Sequence, residues 1–229
     1  MYFLLGVASV LLVRASTYTI YTADYSDRGW YDNTGYRDLD TLGNYIVGTG
    51  GYNEYRNFFI FDLSVIPVAE TVVSAQFVIY NTPYVSTGIG GYQSSDESET
   101  YQLFSIDYTD FSVLRSGAVG LTSAFNDLAD GEVFNTGTIF TADSSDAETT
   151  MYLSATFISY AQTHLGGEVG FGGALTSLGG NYGQTLFTNS HSLDLSASRL
   201  IITTVPEPSV WAVISGGCAL ILALWRRLT

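Results

Sequence analysis

The chain of 229 residues has no lysine, one cysteine, two histidines and four prolines. Each scarcity excludes something. Its eight basic residues are all arginine and face 22 acids, for a formal charge of −14, so no basic patch exists to displace counterions from phosphates. Nucleic acid is therefore excluded as a partner, and the acidic surface suits divalent cations, neutral glycans or simple solubility. The lone Cys218 rules out an intrachain disulfide, so an extracytoplasmic domain of this composition is held by its core. His164 and His191 do not form His-Glu-x-x-His, and no Gly-x-Ser-x-Gly, phosphate loop or Cys/His cluster occurs, which argues against a His-based triad or a zinc site. What remains open to catalysis is a pair of carboxylates meeting roughly 5 to 10 Å apart in a groove, as glycoside cleavage requires. A carboxylate-dependent polysaccharide-active enzyme is thus the alternative to a non-catalytic protein.

Charge is also missing from both ends. Residues 1–13 are almost wholly apolar and lead into Val13-Arg14-Ala15, whose small residues fit the −3 and −1 subsites of signal peptidase. Cleavage after Ala15 is expected, although no Lys or Arg precedes the apolar stretch. At the other end, the uncharged run 210–225 would extend about 24 Å as a helix, marginally enough to span a hydrocarbon core of about 30 Å. Trp211 and Trp225 stand at its two ends, where the headgroups favour amphipathic rings, and Arg226-Arg227 follow, the pair that prefers the cytoplasmic side. The body then faces outward. Pro206 and Pro208 keep the preceding peptide extended, which predicts an accessible hinge between body and span.

The order Pro206-Glu207-Pro208, apolar run, Arg226-Arg227 closely resembles the PEP-CTERM sorting signal of Gram-negative and related bacteria. The resemblance implies recognition by an exosortase, a membrane-embedded cysteine transpeptidase, and export to the cell surface or an exopolysaccharide matrix. It covers residues 205–229 and implies nothing about the chemistry of the rest.

The remaining body, residues 16–204, is long enough for one domain with a sizeable core. Short apolar runs between Gly, Asn, Asp and Ser clusters predict an all-β, jelly-roll-like β-sandwich with one or two short helices, completed by the single C-terminal membrane helix. Strands are expected at 18–22, 44–47, 56–63, 72–80, 101–108, 133–141, 150–153, 169–173, 185–188 and 200–204. Residues 56–62 are apolar on both faces in their middle, as a strand covered on both sides would be. In 75–80, Ala75, Phe77 and Ile79 share one face. Helices are expected at 122–129 and 154–165, the latter capped by Ser154, ended by Gly166-Gly167 and striped with Phe157, Ile158, Ala161 and Leu165. The stretch with Arg56 and Phe61-Asp62-Leu63, followed by Ala75-Gln-Phe-Val-Ile-Tyr80, is similar to jelly-roll modules of the DNRLRE type, some of which are similar to carbohydrate-binding modules. That similarity supports the fold and transfers no ligand.

The densest polar and aromatic cluster runs from Asp24 to Asp40. Tyr25, Trp30, Tyr31 and Tyr36 offer flat faces of the kind that stack on sugar rings. Asp24, Asp27, Asp32, Asp38 and Asp40 offer hard oxygens to Ca²⁺, although their spacing is not that of an EF-hand. The plain alternative is a solvated loop whose aromatics pack on a sheet edge. The acidic stretches 94–99 and 143–148 read as solvated surface, since like charges this close prefer water.

Overall fold

The computed structural model describes residues 14–83, 90–117, 119–179, 183–190 and 193–207. The expected signal peptide, 1–15, lies outside them except for Arg14 and Ala15, and the expected membrane helix at 210–225 lies wholly outside. Among the described residues no helix is long and apolar enough to cross a membrane.

The fold is mostly β, antiparallel and sandwich-like. The first sheet has four strands in the order β1 (Ser16–Tyr21), β12 (Ser198–Pro206), β5 (Glu70–Asn81) and β9 (Ala147–Tyr152). The second follows the order β6 (Gly91–Gln93), β11 (Gln184–Thr188), β3 (Val47–Gly50), β4 (Asn53–Asp62), β10 (Glu168–Leu175), β7 (Glu99–Ser105) and β8 (Thr138–Phe140). The remaining strand, β2 (Arg28–Asp32), pairs with β4 off this path. Every pairing between these strands is antiparallel.

Alternation sets the layers. Phe59 and Phe61 of β4 point into the space between the sheets and meet Phe77 of β5 and Phe171 of β10, with ring centroids 4.8 Å apart for Phe59–Phe77 and 5.0 Å for Phe77–Phe171. Ala75, Phe77 and Ile79 are buried together in this core, as the period of two demands. Phe58 and Ile60 point the other way into a second core with Tyr31, Phe111, Leu114, Phe125 and Leu128. The strand read as covered on both sides is so covered.

Among the described residues three short α-helices accompany the strands: α1 (Ser112–Ser116), α2 (Thr122–Asp127) and α3 (Ala155–Thr163). The first was not expected. For α3 the Ser154 side chain accepts from the Phe157 N–H, and Phe157 and Ala161 are buried in the first core. Gln162 of α3 accepts from the Val72 N–H at 2.7 Å and donates to the Glu70 carbonyl at 3.1 Å. Those backbone groups lie on β5 before the stretch that β9 pairs, which begins at Gln76, so the helix covers a sheet edge that would otherwise be bare.

Three expectations change. The RGWYD segment, read as part of a loop, is strand β2 and is buried along its whole length. The sandwich ends at Pro206 rather than 204: Val205 pairs with Thr71 and Pro206 with Glu70, and the Glu207 N–H donates to the Ala69 carbonyl at 3.3 Å. Val205 and Pro206, expected to open the C-terminal signal, are therefore paired in the sheet. In the acidic stretch 94–99, Glu99 is fully buried, because Ser94 after β6 and Gln184 of β11 bring it neutral donors, at 2.6 Å and 3.0 Å.

Candidate functional site

The 24–40 segment is built as structure. Asp24 caps a turn by accepting from the Ser26 N–H at 2.8 Å, a bond that holds its carboxyl below the ordinary range, and Asp27 accepts from the Asp24 N–H at 2.9 Å. Asp27 also pairs with Arg115 at 2.6 Å. Asp32 is saturated: one oxygen accepts from the Thr34 N–H, the Thr34 hydroxyl and the Tyr36 N–H, the other from Asn53 at 2.9 Å. Asp38 accepts from the Asp40 N–H and from Thr41, and Asp40 is exposed. Among the described residues no three His, Cys, Asp or Glu side chains are grouped to hold a metal ion. The five aspartates are thus not brought together.

The four aromatics divide. Tyr31 has no exposure, and its hydroxyl donates to the Val113 and Leu114 carbonyls at 3.1 Å. It is a core residue and presents no face to a sugar, a correction to its expected role. Trp30 is buried between Tyr36 and Tyr55, edge to face with both. Tyr25 and Tyr36 keep exposed surface, 41% and 42%. The segment also buries two arginines. Arg37 donates to the Leu114, Ser26 and Arg28 carbonyls and lies 4.8 Å from the Phe58 ring; Arg28 donates to the Leu193 carbonyl at 2.8 Å. Burial lowers both guanidinium pKa values.

A concavity of the described surface lies elsewhere, a cleft of about 420 Å³ lined by Asp107, Tyr108, Ser123, Asn126, Asp127 and Asp130. Asp107 and Tyr108 follow β7, while Ser123, Asn126 and Asp127 share one face of α2 at helical spacing. Two bonds join the walls. The Asp107 N–H donates to one Asp127 oxygen at 2.8 Å, and the Tyr108 and Ser123 hydroxyls are 3.1 Å apart. The other Asp127 oxygen has no hydrogen-bond partner. Burial pushes the Asp127 carboxyl above the ordinary range, assisted by the Asp107 and Asp130 charges, while the N–H bond pulls the other way.

Glycines seat this wall on the sheet. A Cβ on Gly170 would stand 2.7 Å from the Phe111 ring, and one on Gly172 would stand 2.3 Å from the Leu128 carbonyl oxygen. A side chain at 172 would lift the end of α2 from β10, and one at 170 would displace Phe111 at the start of α1. Arg56 fastens α2 from the side, lying 4.1 Å from the Phe125 ring and donating to the Phe125 and Asn126 carbonyls at 3.2 Å.

An aromatic ring, hydroxyls, a carboxamide and carboxylates around one groove suit a neutral ligand rich in hydroxyl groups. Of the residues expected to form a sorting signal, Pro206 closes β12, Glu207 follows it, and Pro208, Arg226 and Arg227 lie outside the described residues. No family model and no curated protein matches the chain.

Proposed function

We propose that this chain is an exported, non-catalytic jelly-roll module, delivered to the cell surface or an extracellular polysaccharide matrix by a PEP-CTERM-like tail. There it holds glycan in the cleft between Tyr108 and α2. The observation that carries the reading is the order at the C-terminus: Pro206 closes the last strand, and Glu207-Pro208, an uncharged run and Arg226-Arg227 follow without interruption. Signal peptidase and exosortase are the partners of export, and the membrane holds the precursor before processing. The jelly-roll assignment draws on strand order. Setting aside the added strands β2, β3, β6 and β11, the eight that remain lie as first-eighth-third-sixth in one sheet and second-seventh-fourth-fifth in the other, the pattern of two interlocked Greek keys.

Replacing Pro206 and Pro208 by Ala tests the sorting. Both lack an N–H, so the sheet loses no donor. The expected result is accumulation of an uncleaved form in the inner membrane; processing identical to wild type would overturn the sorting claim. Co-sedimentation with insoluble polysaccharides tests the ligand, with Tyr108→Ala expected to weaken retention about tenfold, equivalent to about 1.4 kcal/mol.

A second reading rests on Asp127. A carboxyl held above its ordinary range beside Asp107 and Asp130 is the environment of a general acid in glycoside cleavage. Release of reducing ends from matrix glycan, abolished by Asp127→Asn, would favour the enzyme over the binding module.

A further inference from the structure

Both ends of the described fold leave from one pole of the sandwich. Ser16, which opens β1, pairs with Thr204, and Pro206, which closes β12, pairs with Glu70 at the start of β5. The segment beside that exit is the β4–β5 connection, 63–69, which reads Leu-Ser-Val-Ile-Pro-Val-Ala and carries no charge in a chain of net charge −14. Leu63 and Ile66 are buried and fasten it to the core. Val65 and Val68 are instead 61% and 70% exposed, and Pro67 and Ala69 are exposed with them. The Ala69 carbonyl is the group that accepts from the Glu207 N–H. The exposed apolar residues and the start of the tail are therefore neighbours.

The sequence fixes how far the apolar run can begin from this loop. Only Pro208 and Ser209 separate Glu207 from Val210, so at about 3.5 Å per residue the run starts within about 11 Å of the fold. If that run lies in a bilayer, the pole meets the bilayer surface. Its composition suits the encounter. Acidic groups approaching an anionic leaflet are repelled within a Debye length of about 8 Å, and an uncharged loop with valines at its tip is what such a body can bring closest. Valines already held by a tether need little affinity of their own, because the tether supplies the local concentration.

We propose that the 63–69 loop is a membrane-docking surface: in the anchored chain, Val65, Pro67 and Val68 seat in the headgroup–acyl boundary of the bilayer that holds residues 210–225. The proposal rests on the reading of the tail as an anchor. It adds an orientation, with β1 and β12 meeting the membrane end-on and the body projecting away from it. A second copy of the chain and the apolar run folded back on the loop are the competing occupants.

The test uses the full chain with Cys218→Ser in lipid nanodiscs, carrying a fluorophore at Val65→Cys, Val68→Cys or, as a control, Thr150→Cys. Thr150 is exposed and pairs with Val78, about 26 Å along β5 from Glu70. Quenching by acyl-chain nitroxide lipid is expected to be at least about threefold stronger at 65 and 68 than at 150, with aqueous iodide showing the reverse order. Iodide quenching equal at all three positions would overturn the docking surface while leaving the anchor standing. Protection of 65 and 68 from both quenchers would also overturn it, in favour of a second copy or the folded-back run. A chain that fails to co-elute with nanodiscs would overturn the anchor and this inference together.

Discussion

Two acidic, aromatic regions of this protein can be set side by side. The 24–40 segment is the denser in sequence, with five aspartates and four large aromatics in seventeen positions, yet all its acids but the exposed Asp40 are spent on backbone N–H groups, on the Thr34 and Thr41 hydroxyls, on Asn53 and on Arg115. The cleft between Tyr108 and α2 is sparse in sequence, its acids at 107, 127 and 130, yet it keeps an open volume and a carboxylate oxygen without a partner. Local density of polar groups measures how easily a segment can satisfy itself. A site needs groups that the fold leaves unsatisfied, and those come from separate segments.

The comparison breaks most sharply at Tyr31. Tyr31→Ala empties a site in the second core and removes the hydroxyl that holds the Val113 and Leu114 carbonyls, so a loss of about 3 to 5 kcal/mol is expected from the urea midpoint. Tyr36→Ala, a few residues on and 42% exposed, is expected to cost under about 1 kcal/mol. Equal costs would mean that the segment is not divided into core and surface as described.

A smaller effect is expected at Asp32. Asp32→Ala leaves the Tyr36 and Thr34 N–H groups and the Asn53 amide without their acceptor, at a cost of about 1 to 3 kcal/mol. Because those donors already occupy both oxygens, millimolar Ca²⁺ is expected to leave the melting temperature of wild type unchanged. A calcium-dependent rise that Asp32→Ala abolishes would restore the segment as a metal site.

Much of the scaffold was legible because it rests on periodicity. The doubly apolar run at 58–61 marked the strand between two cores, and Ser154 with the stripe Phe157, Ala161 marked α3. What escaped depends on partners far along the chain. In the RGWYD segment, Arg28 and Asp32 flank an apolar pair, and only the arrival of the Leu193 carbonyl and of Asn53 makes their burial tolerable. Glu99 looked solvated for the same reason, since Gln184 comes from β11. The cleft was hidden because Asp107 and Asp127 meet through a fold-dependent bond. Its one local signal was Gly172 in the Gly170-Phe-Gly-Gly run of β10, where a missing side chain announces a close approach of backbone that proves to be Leu128 after α2.

Asp127 sharpens the comparison with the smallest change. Its carboxyl is raised in the folded protein, chiefly by burial and then by Asp107 and Asp130, so the folded state holds that proton more tightly than the unfolded chain does. Stability drawn from the neutral acid is complete below the unfolded carboxyl range and is lost as pH rises through the folded value. Asp127→Asn keeps an oxygen to accept from the Asp107 N–H and cannot ionise, so it should melt above wild type at pH 7, by an amount on the order of 1 kcal/mol or less. The gap should close as pH falls and wild type takes up its proton. A gap that stays constant with pH would mean that Asp127 carries no excess proton affinity, and the cleft would then lose the feature that separates it from the satisfied acids of the 24–40 segment.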